Sequence, residues 1–264
     1  MSQPVISLRH VSMAFPQHNG DAFLALQDVS LDVDPGRFVS IVGPSGCGKS
    51  TTLSLIAGLL FPTDGEVWLE GRRVEDVQTS VGFMFQQDAL FPWKTVLGNV
   101  MAGLLFRQVP RKEAQERALS WIRRVGLAGF EHHYPYQLSG GMRKRVSLAQ
   151  TLVYDPDILL MDEPFSALDV QTRDLMENEL LALWQELRKT VLFITHDLQE
   201  AIALSDEVVV MTAAPGRIKA RYPIQLARPR NLLDIRTSPE FEAIYSHIWG
   251  DLREEVMASY ARSQ

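Results

Sequence analysis

The stretch GPSGCGKST, residues 43–51, decides the fold. An apolar run, Phe38-Val39-Ser40-Ile41-Val42, leads into it, and a helical pattern with Leu53, Ile56, Leu59 and Leu60 on one face leads out. Strand, loop, helix is the context that the pattern G-x-x-x-x-G-K-[ST] requires. Gly43, Gly46 and Gly48 can take backbone angles closed to other residues, so successive N–H groups can turn inward around a polyanion. The helix adds the positive end of its dipole and its unpaired amides. Lys49 is expected to reach the β- and γ-phosphates, and the Ser50 hydroxyl to ligate Mg²⁺. A flexible glycine loop with a surface lysine is the competing reading. The flanking strand and helix favour a nucleoside triphosphate site, lined by Gly43, Pro44, Ser45, Gly46, Cys47, Gly48, Lys49, Ser50 and Thr51.

Outward from the loop, the chain alternates. Val5–Leu8 and Leu24–Val33 read as strands around the polar segment PQHNGD at 16–21. Phe15 ends the first strand region, where an aromatic could stack on a purine or simply belong to the core. Glu66–Leu69 and Val81–Phe85 are short strands, the second running into Gln86. Residues 94–153 are mostly helical, with segments expected at 94–106, 112–125 and 141–153, a subdomain of about 87–153 packed on one side. Ile158–Met161 is wholly apolar, as a central strand covered on both faces should be. A helix over 171–188 and strands at Val191–Thr195 and Val208–Met211 follow. Strands alternating with helices predict an α/β fold with a mostly parallel sheet that binds ligand at its carboxyl edge.

Beyond Ala227–Asn231, Ser238-Pro239 should start a helix carrying Phe241, Ile244, Tyr245, Ile248, Trp249, Leu252 and Val256. That stripe is expected to dock on the protein's own body, with a partner surface as the alternative. The division is thus 1–227 for the main domain and 228–264 for an extension with an amphipathic helix.

In bulk, 264 residues with 46% hydrophobic and 22% charged content describe an ordinary globule. A net charge of −6 speaks against binding nucleic acid by broad phosphate neutralisation. Arg143-Lys144-Arg145 reads as a solvated helix face. A lone cysteine, Cys47, fits a reducing compartment and reads as a small loop residue rather than a redox one. The opening MSQPVISLRH does not look like a secretion signal, and no apolar run approaches the roughly 18–20 residues that cross a bilayer.

Four more stretches suit a triphosphate site. ILLMDEP at 158–164 delivers Asp162, for the Mg²⁺ shell, and Glu163, to polarise the attacking water. His196 follows VLFIT and could be structural or reach the γ-phosphate. Gln86 could reach Mg²⁺ or water. In LSGGM at 138–142, Ser139 and the amides of Gly140 and Gly141 open a helix, a second anion-binding terminus.

In this order, with SALD at 166–169 directly after the acidic pair, the set resembles the ATP-binding subunit of ABC transporters over roughly residues 4–227. The resemblance implies a P-loop NTPase cassette with an N-terminal antiparallel β part and a helical subdomain. It implies that Gly43–Thr51 is the Walker A loop, Gln86 the Q-loop glutamine and Leu138–Met142 the signature. Ile158–Asp162 would be Walker B, Glu163 the catalytic glutamate, Ser166–Asp169 the D-loop with Asp169 near nucleotide, and His196 the switch histidine. Phe15 would stack on adenine. Two copies would close head to tail on ATP and Mg²⁺, and helices after Gln86 would meet an integral membrane permease. Met142 stands where Gln is commoner, and Gln150 where Arg often follows. FQQDALFPWKTVLGNV (85–100), LSGGMRKRV (138–146), APGRI (214–218) and ARPR (227–230) are similar to importers of the nitrate, sulfonate and taurine group. Those use a periplasmic solute-binding protein, which would place this subunit peripherally on the cytoplasmic face of the inner membrane. The alternatives are a soluble ABC-type ATPase acting on ribosomes or DNA, and a cassette that binds ATP without hydrolysing it.

Overall fold

The computed structural model describes residues 3–17 and 21–262, so part of the polar loop expected at 16–21 lies outside it. Among the described residues, ten strands form two sheets. The first is antiparallel: β1 (Ile6–Pro16), β2 (Ala22–Val33), β4 (Asp64–Leu69) and β5 (Arg72–Arg73), in the order β2-β1-β4-β5. The second holds β3 (Phe38–Val42), β6 (Gly82–Met84), β7 (Ile158–Asp162), β8 (Thr190–Ile194), β9 (Glu207–Met211) and β10 (Ile218–Pro223). Its order is β10-β9-β3-β8-β7-β6, parallel except for the β9–β10 pair.

The parallel strands are apolar on both faces, and their alternation divides two cores. Phe38, Leu159, Met161, Val191, Phe193, Val208 and Val210 face one core; Val39, Ile41, Ile158, Leu160, Leu192, Ile194 and Val209 face the other. The second core lies between the two sheets and includes Leu53, Leu55 and Ile56 of α1 (Lys49–Ile56). The first is covered by α5 (Val170–Leu187), α6 (Leu198–Leu204) and α8 (Pro239–Arg262), with the short α7 (Leu232–Ile235) beside α5. A third core is private to α2 (Val96–Phe106), α3 (Arg111–Arg124) and α4 (Gly140–Leu152).

The tail helix docks on the body. Phe241, Ile248 and Leu252 are buried in the first core, with Ile244, Tyr245 and Val256 packed against it. Polar ties fix the other side: Lys219 Nζ lies 2.6 Å from Glu254 and 3.0 Å from Glu255, the Tyr222 hydroxyl donates to Asp251, and Glu255 accepts from the Ala213 amide at 2.9 Å. Before it, Arg230 is buried and donates to the carbonyls of Ala203 and Ser205 at 3.0 and 2.7 Å, where a cation favours the C-terminal end of α6.

Two local readings change. The helix after the phosphate loop stops at Ile56 instead of continuing through Leu60. Gly58 turns to φ +69, against backbone of Asp76, and leaves Leu59 half exposed. Strand β1 runs eight residues beyond Leu8, because register shifts after Leu8 and Val11 carry it past the polar Arg9-His10 pair.

Candidate nucleotide site

The carboxyl ends of β3, β6, β7 and β8 gather the residues expected to handle a triphosphate. The loop from β3 to α1 depends on glycine at Gly48, whose φ is +94 and whose Cβ would fall 2.4 Å from Leu26 Cδ2. Gly48 caps α1 with no side-chain hydrogen bond, and no acidic residue sits in the first turn. The amides opening this helix are therefore left for an anion. Lys49 is buried, its ammonium donating to the carbonyls of Gly43 at 2.9 Å and Pro44 at 3.1 Å. Cys47 is fully buried beside it, and burial pushes its thiol up, which suits packing and not thiolate chemistry.

Ser50 and Asp162 meet directly: Ser50 Oγ donates to Asp162 Oδ1 at 3.0 Å. Burial raises the Asp162 carboxyl above its ordinary range, with the Ser50 hydrogen bond opposing the shift. The next residue, Glu163, takes φ +42, a region that costs an L-residue energy and is held here by its surroundings. Its N–H donates to the Ile194 carbonyl at 2.9 Å, and Ser166 Oγ donates to the Glu163 carbonyl at 3.0 Å. The turn aims the carboxylate sideways, where Oε2 lies 2.9 Å from His196 Nδ1 and 3.5 Å from Gln86 Nε2. With Nδ1 facing a carboxylate, the ring carries its proton there and leaves Nε2 as an acceptor.

Two cavities adjoin at His196. One of about 560 Å³ is lined by Gln86, Asp88, Lys144, Glu163 and Ser166. The other, about 450 Å³, runs from Gly43, Pro44 and Ser45 to Trp249, Val256 and Tyr260 of α8. The C-terminal helix thus flanks the phosphate loop, a placement its apolar stripe alone does not indicate.

The remaining candidates line neither cavity. Ser139 caps α4 through the Met142 amide at 3.3 Å. A Cβ on Gly141 would meet Thr172 Cγ2 at 2.6 Å, and one on Gly140 would touch Leu168, so the stretch packs against the start of α5. Ser139, Gly140 and Gly141 line neither cavity. Asp169 is exposed and caps α5, accepting from Thr172 N at 3.0 Å; that bond holds its carboxyl below the usual range. Phe15 is half-buried, faces Phe23 across the hairpin and packs on the inter-sheet core, so part of its ring is already used there. Met142 packs on the core of α2–α4, a place that an apolar side chain fills well. Nothing in the structure explains Gln150.

Arg143-Lys144-Arg145 is not a solvated face. Lys144 is 3% exposed and lies 2.7 Å from the Gln86 carbonyl and 3.0 Å from Asp88. Arg143 Nε is 3.1 Å from the same carboxylate, and Arg145 is 2.5 Å from Glu179. The signal was present in the spacing: Lys144 precedes Leu148 and Leu152 by one and two helical turns and shares their buried stripe. A second buried group, Glu200, accepts from the Thr195 hydroxyl one residue before His196, and burial lifts its carboxyl to about 8.

Among the described residues no helix is long and apolar enough to cross a membrane. The ABC transporter family model matches residues 26–166. An uncharacterized ABC transporter ATP-binding protein of Methanocaldococcus jannaschii is 51% identical over 243 residues, 92% of this chain and 90% of its own. A taurine import ATP-binding protein, TauB, of Rhizobium johnstonii is 44% identical over 258 residues, covering 96% and 95%. The dimeric structure of MJ0796, a bacterial ABC transporter cassette, superposes with a TM-score of 0.75 at 34% identity, covering 84% of this chain and all of that one. The same cassette in a post-hydrolysis state with ADP and Pi gives 0.74. Lys49, Ser50, Asp162, Glu163 and His196 thus stand together on a cassette fold, and the chain belongs to the ABC transporter family as an ATP-binding subunit with ATPase activity.

Proposed function

We propose that this chain hydrolyses ATP to drive an importer for taurine, another sulfonate or a related small anion. The observation that carries the mechanism is the separation within one chain. The phosphate loop, Asp162, Glu163, His196 and Gln86 converge, while Ser139–Gly141 open α4 and line neither cavity. Two copies related head to tail bring each signature onto the other's phosphate loop. Donors that arrive only on closure stabilise the charge developing at the γ-phosphate only in the closed pair. In this reading residues 1–227 are the cassette, with the helical subdomain at about 87–153, and 228–264 are an extension.

Within the closed site, Lys49 leaves the carbonyls of Gly43 and Pro44 for the phosphates, with the loop amides around them. Glu163 accepts a proton from the attacking water, and His196, oriented by Glu163, offers Nε2 as an acceptor to that water. Asp169 supports the partner's nucleotide from the D-loop, and Phe15 offers its open edge to adenine. The Ser50 hydroxyl, Asp162 and the Gln86 amide oxygen are a hard oxygen donor set that would hold Mg²⁺. Bound there, the ion would offset negative charge on the phosphates.

An exposed aromatic group fits a permease as the next partner. Trp93 and Phe106 are over 70% exposed and pack around Phe91, with ring centroids at 5.6 and 6.5 Å, on the segment that follows Gln86. The relatives named for taurine import support the solute class. The reading places the subunit peripherally on the cytoplasmic face of the inner membrane, with a periplasmic binding protein supplying solute. Deleting the gene should abolish ATP-dependent taurine uptake and growth on taurine as sole sulfur source. Normal growth and uptake would redirect the solute assignment, and co-purification with ribosomes or DNA in place of a membrane protein would favour the soluble alternative.

A further inference from the structure

We propose that Lys144, with Arg143, is a positioning residue that yokes the glutamine loop to the signature of the same chain, making each ATP site sense the other. The proposal rests on the head-to-tail reading above. The contacts form an unbroken run. Glu163 Oε2 lies 3.5 Å from Gln86 Nε2; the Gln86 carbonyl accepts from Lys144 Nζ at 2.7 Å; Lys144 faces Asp88 Oδ1 at 3.0 Å. Asp88 Oδ2 then accepts from Arg143 Nε at 3.1 Å, and Arg143 Nη1 donates to the Leu138 carbonyl at 2.7 Å, one residue before Ser139.

Two features make this more than a surface ion pair. The first is burial: Lys144 is 3% exposed, so its ammonium depends on these oxygens and cannot exchange them cheaply for water. A displacement of Gln86 on binding nucleotide must therefore either break a buried charge or carry α4 with it. The second is address. Gln86 belongs to the site built on its own phosphate loop, whereas Ser139, Gly140 and Gly141 serve the site on the partner. A mechanical link between the two within one chain couples the two nucleotides of the pair. Coupling of this kind is a free energy between sites and appears as cooperativity in ATP.

Two variants test the yoke. Lys144→Met removes the donor at similar length, and Asp88→Asn removes the charge between Lys144 and Arg143 while keeping the shape. Steady-state ATPase is measured against ATP concentration, with ADP titrations on the same preparations. Wild type should show a Hill coefficient well above 1. Each variant should bring it to about 1 and lower kcat by about tenfold or more, with ADP affinity held within about twofold. A role confined to stability would scale the rate with the folded fraction and leave the Hill coefficient alone. A Hill coefficient of 1 in wild type, or an unchanged one in either variant, overturns the yoke. Glu163→Gln separates the two levels: if it fails to dimerise with ATP, the site assignment itself fails, and if it dimerises while cooperativity ignores Lys144, only the yoke fails.

Discussion

Glu163→Gln is the substitution with the most closely defined consequence. The position is constrained: a left-handed φ of +42, the N–H bond to Ile194, the Ser166 bond to its carbonyl and His196 Nδ1 at 2.9 Å from the carboxylate. Glutamine has the same length, so the turn should survive and the phosphate loop should be untouched. What is lost is the charge that takes a proton from water and fixes the histidine tautomer. A positioned general base contributes about 10²–10⁴ in rate, or roughly 3–5 kcal/mol at 1.36 kcal/mol per decade. Phosphate release should fall by about that factor, while ATP affinity by calorimetry changes little. Because hydrolysis no longer opens the closed pair, the variant should accumulate as an ATP-bound dimer on size exclusion. Hydrolysis at the unmodified rate would refute the assignment of the base.

Other perturbations address separate parts of the molecule. Lys49→Ala removes a charged donor to phosphate, a contact of about 1.5–3 kcal/mol, so the ATP dissociation constant should rise about 10- to 100-fold by calorimetry; unchanged affinity would count against the loop. Ile248→Ala opens a cavity where α8 enters the core and should cost about 2–5 kcal/mol, lowering Tm by several degrees in a single transition; a shift under about 2 °C would place the helix off the body. Burial pushes the Glu200 carboxyl up to about 8 from an ordinary 4.5, so the native state holds a proton that the unfolded chain has released between those values. Its contribution to stability is therefore full at low pH and declines by about 1.4 kcal/mol per pH unit as pH rises through that window, levelling off above it. Urea titrations from pH 5 to pH 8 should show that decline and Glu200→Gln should make it shallower, leaving the part due to the neighbouring Glu177, whose carboxyl burial lifts to about 7; identical slopes would refute the Glu200 share.

The sheet was readable because its physics is local. Runs such as Ile158–Met161 and Val208–Met211, apolar at every position, admit few fates besides a strand covered on both faces. The phosphate loop was readable because glycine spacing, lysine and the flanking elements agree. Partnerships between distant segments were not. Lys144 looked like one of three solvated cations until Asp88, 56 residues earlier, came beside it. The stripe on α8 announced burial, yet its spacing says nothing about which wall it meets or that Trp249, Val256 and Tyr260 flank the phosphate loop. The end of α1 is not legible in the sequence, because Leu59 and Leu60 continue the helical period whereas Gly58 turns the chain.

The composite site can be tested by mixing two crippled subunits, one carrying Lys49→Ala and the other Ser139→Phe. In each homodimer every site has one defective half. In the mixed dimer one site pairs the intact phosphate loop of the second subunit with the intact signature of the first. Mixing should therefore restore ATP hydrolysis well above the sum of the separate preparations. Activity equal to that sum would mean that each chain completes its own site, contradicting the head-to-tail arrangement.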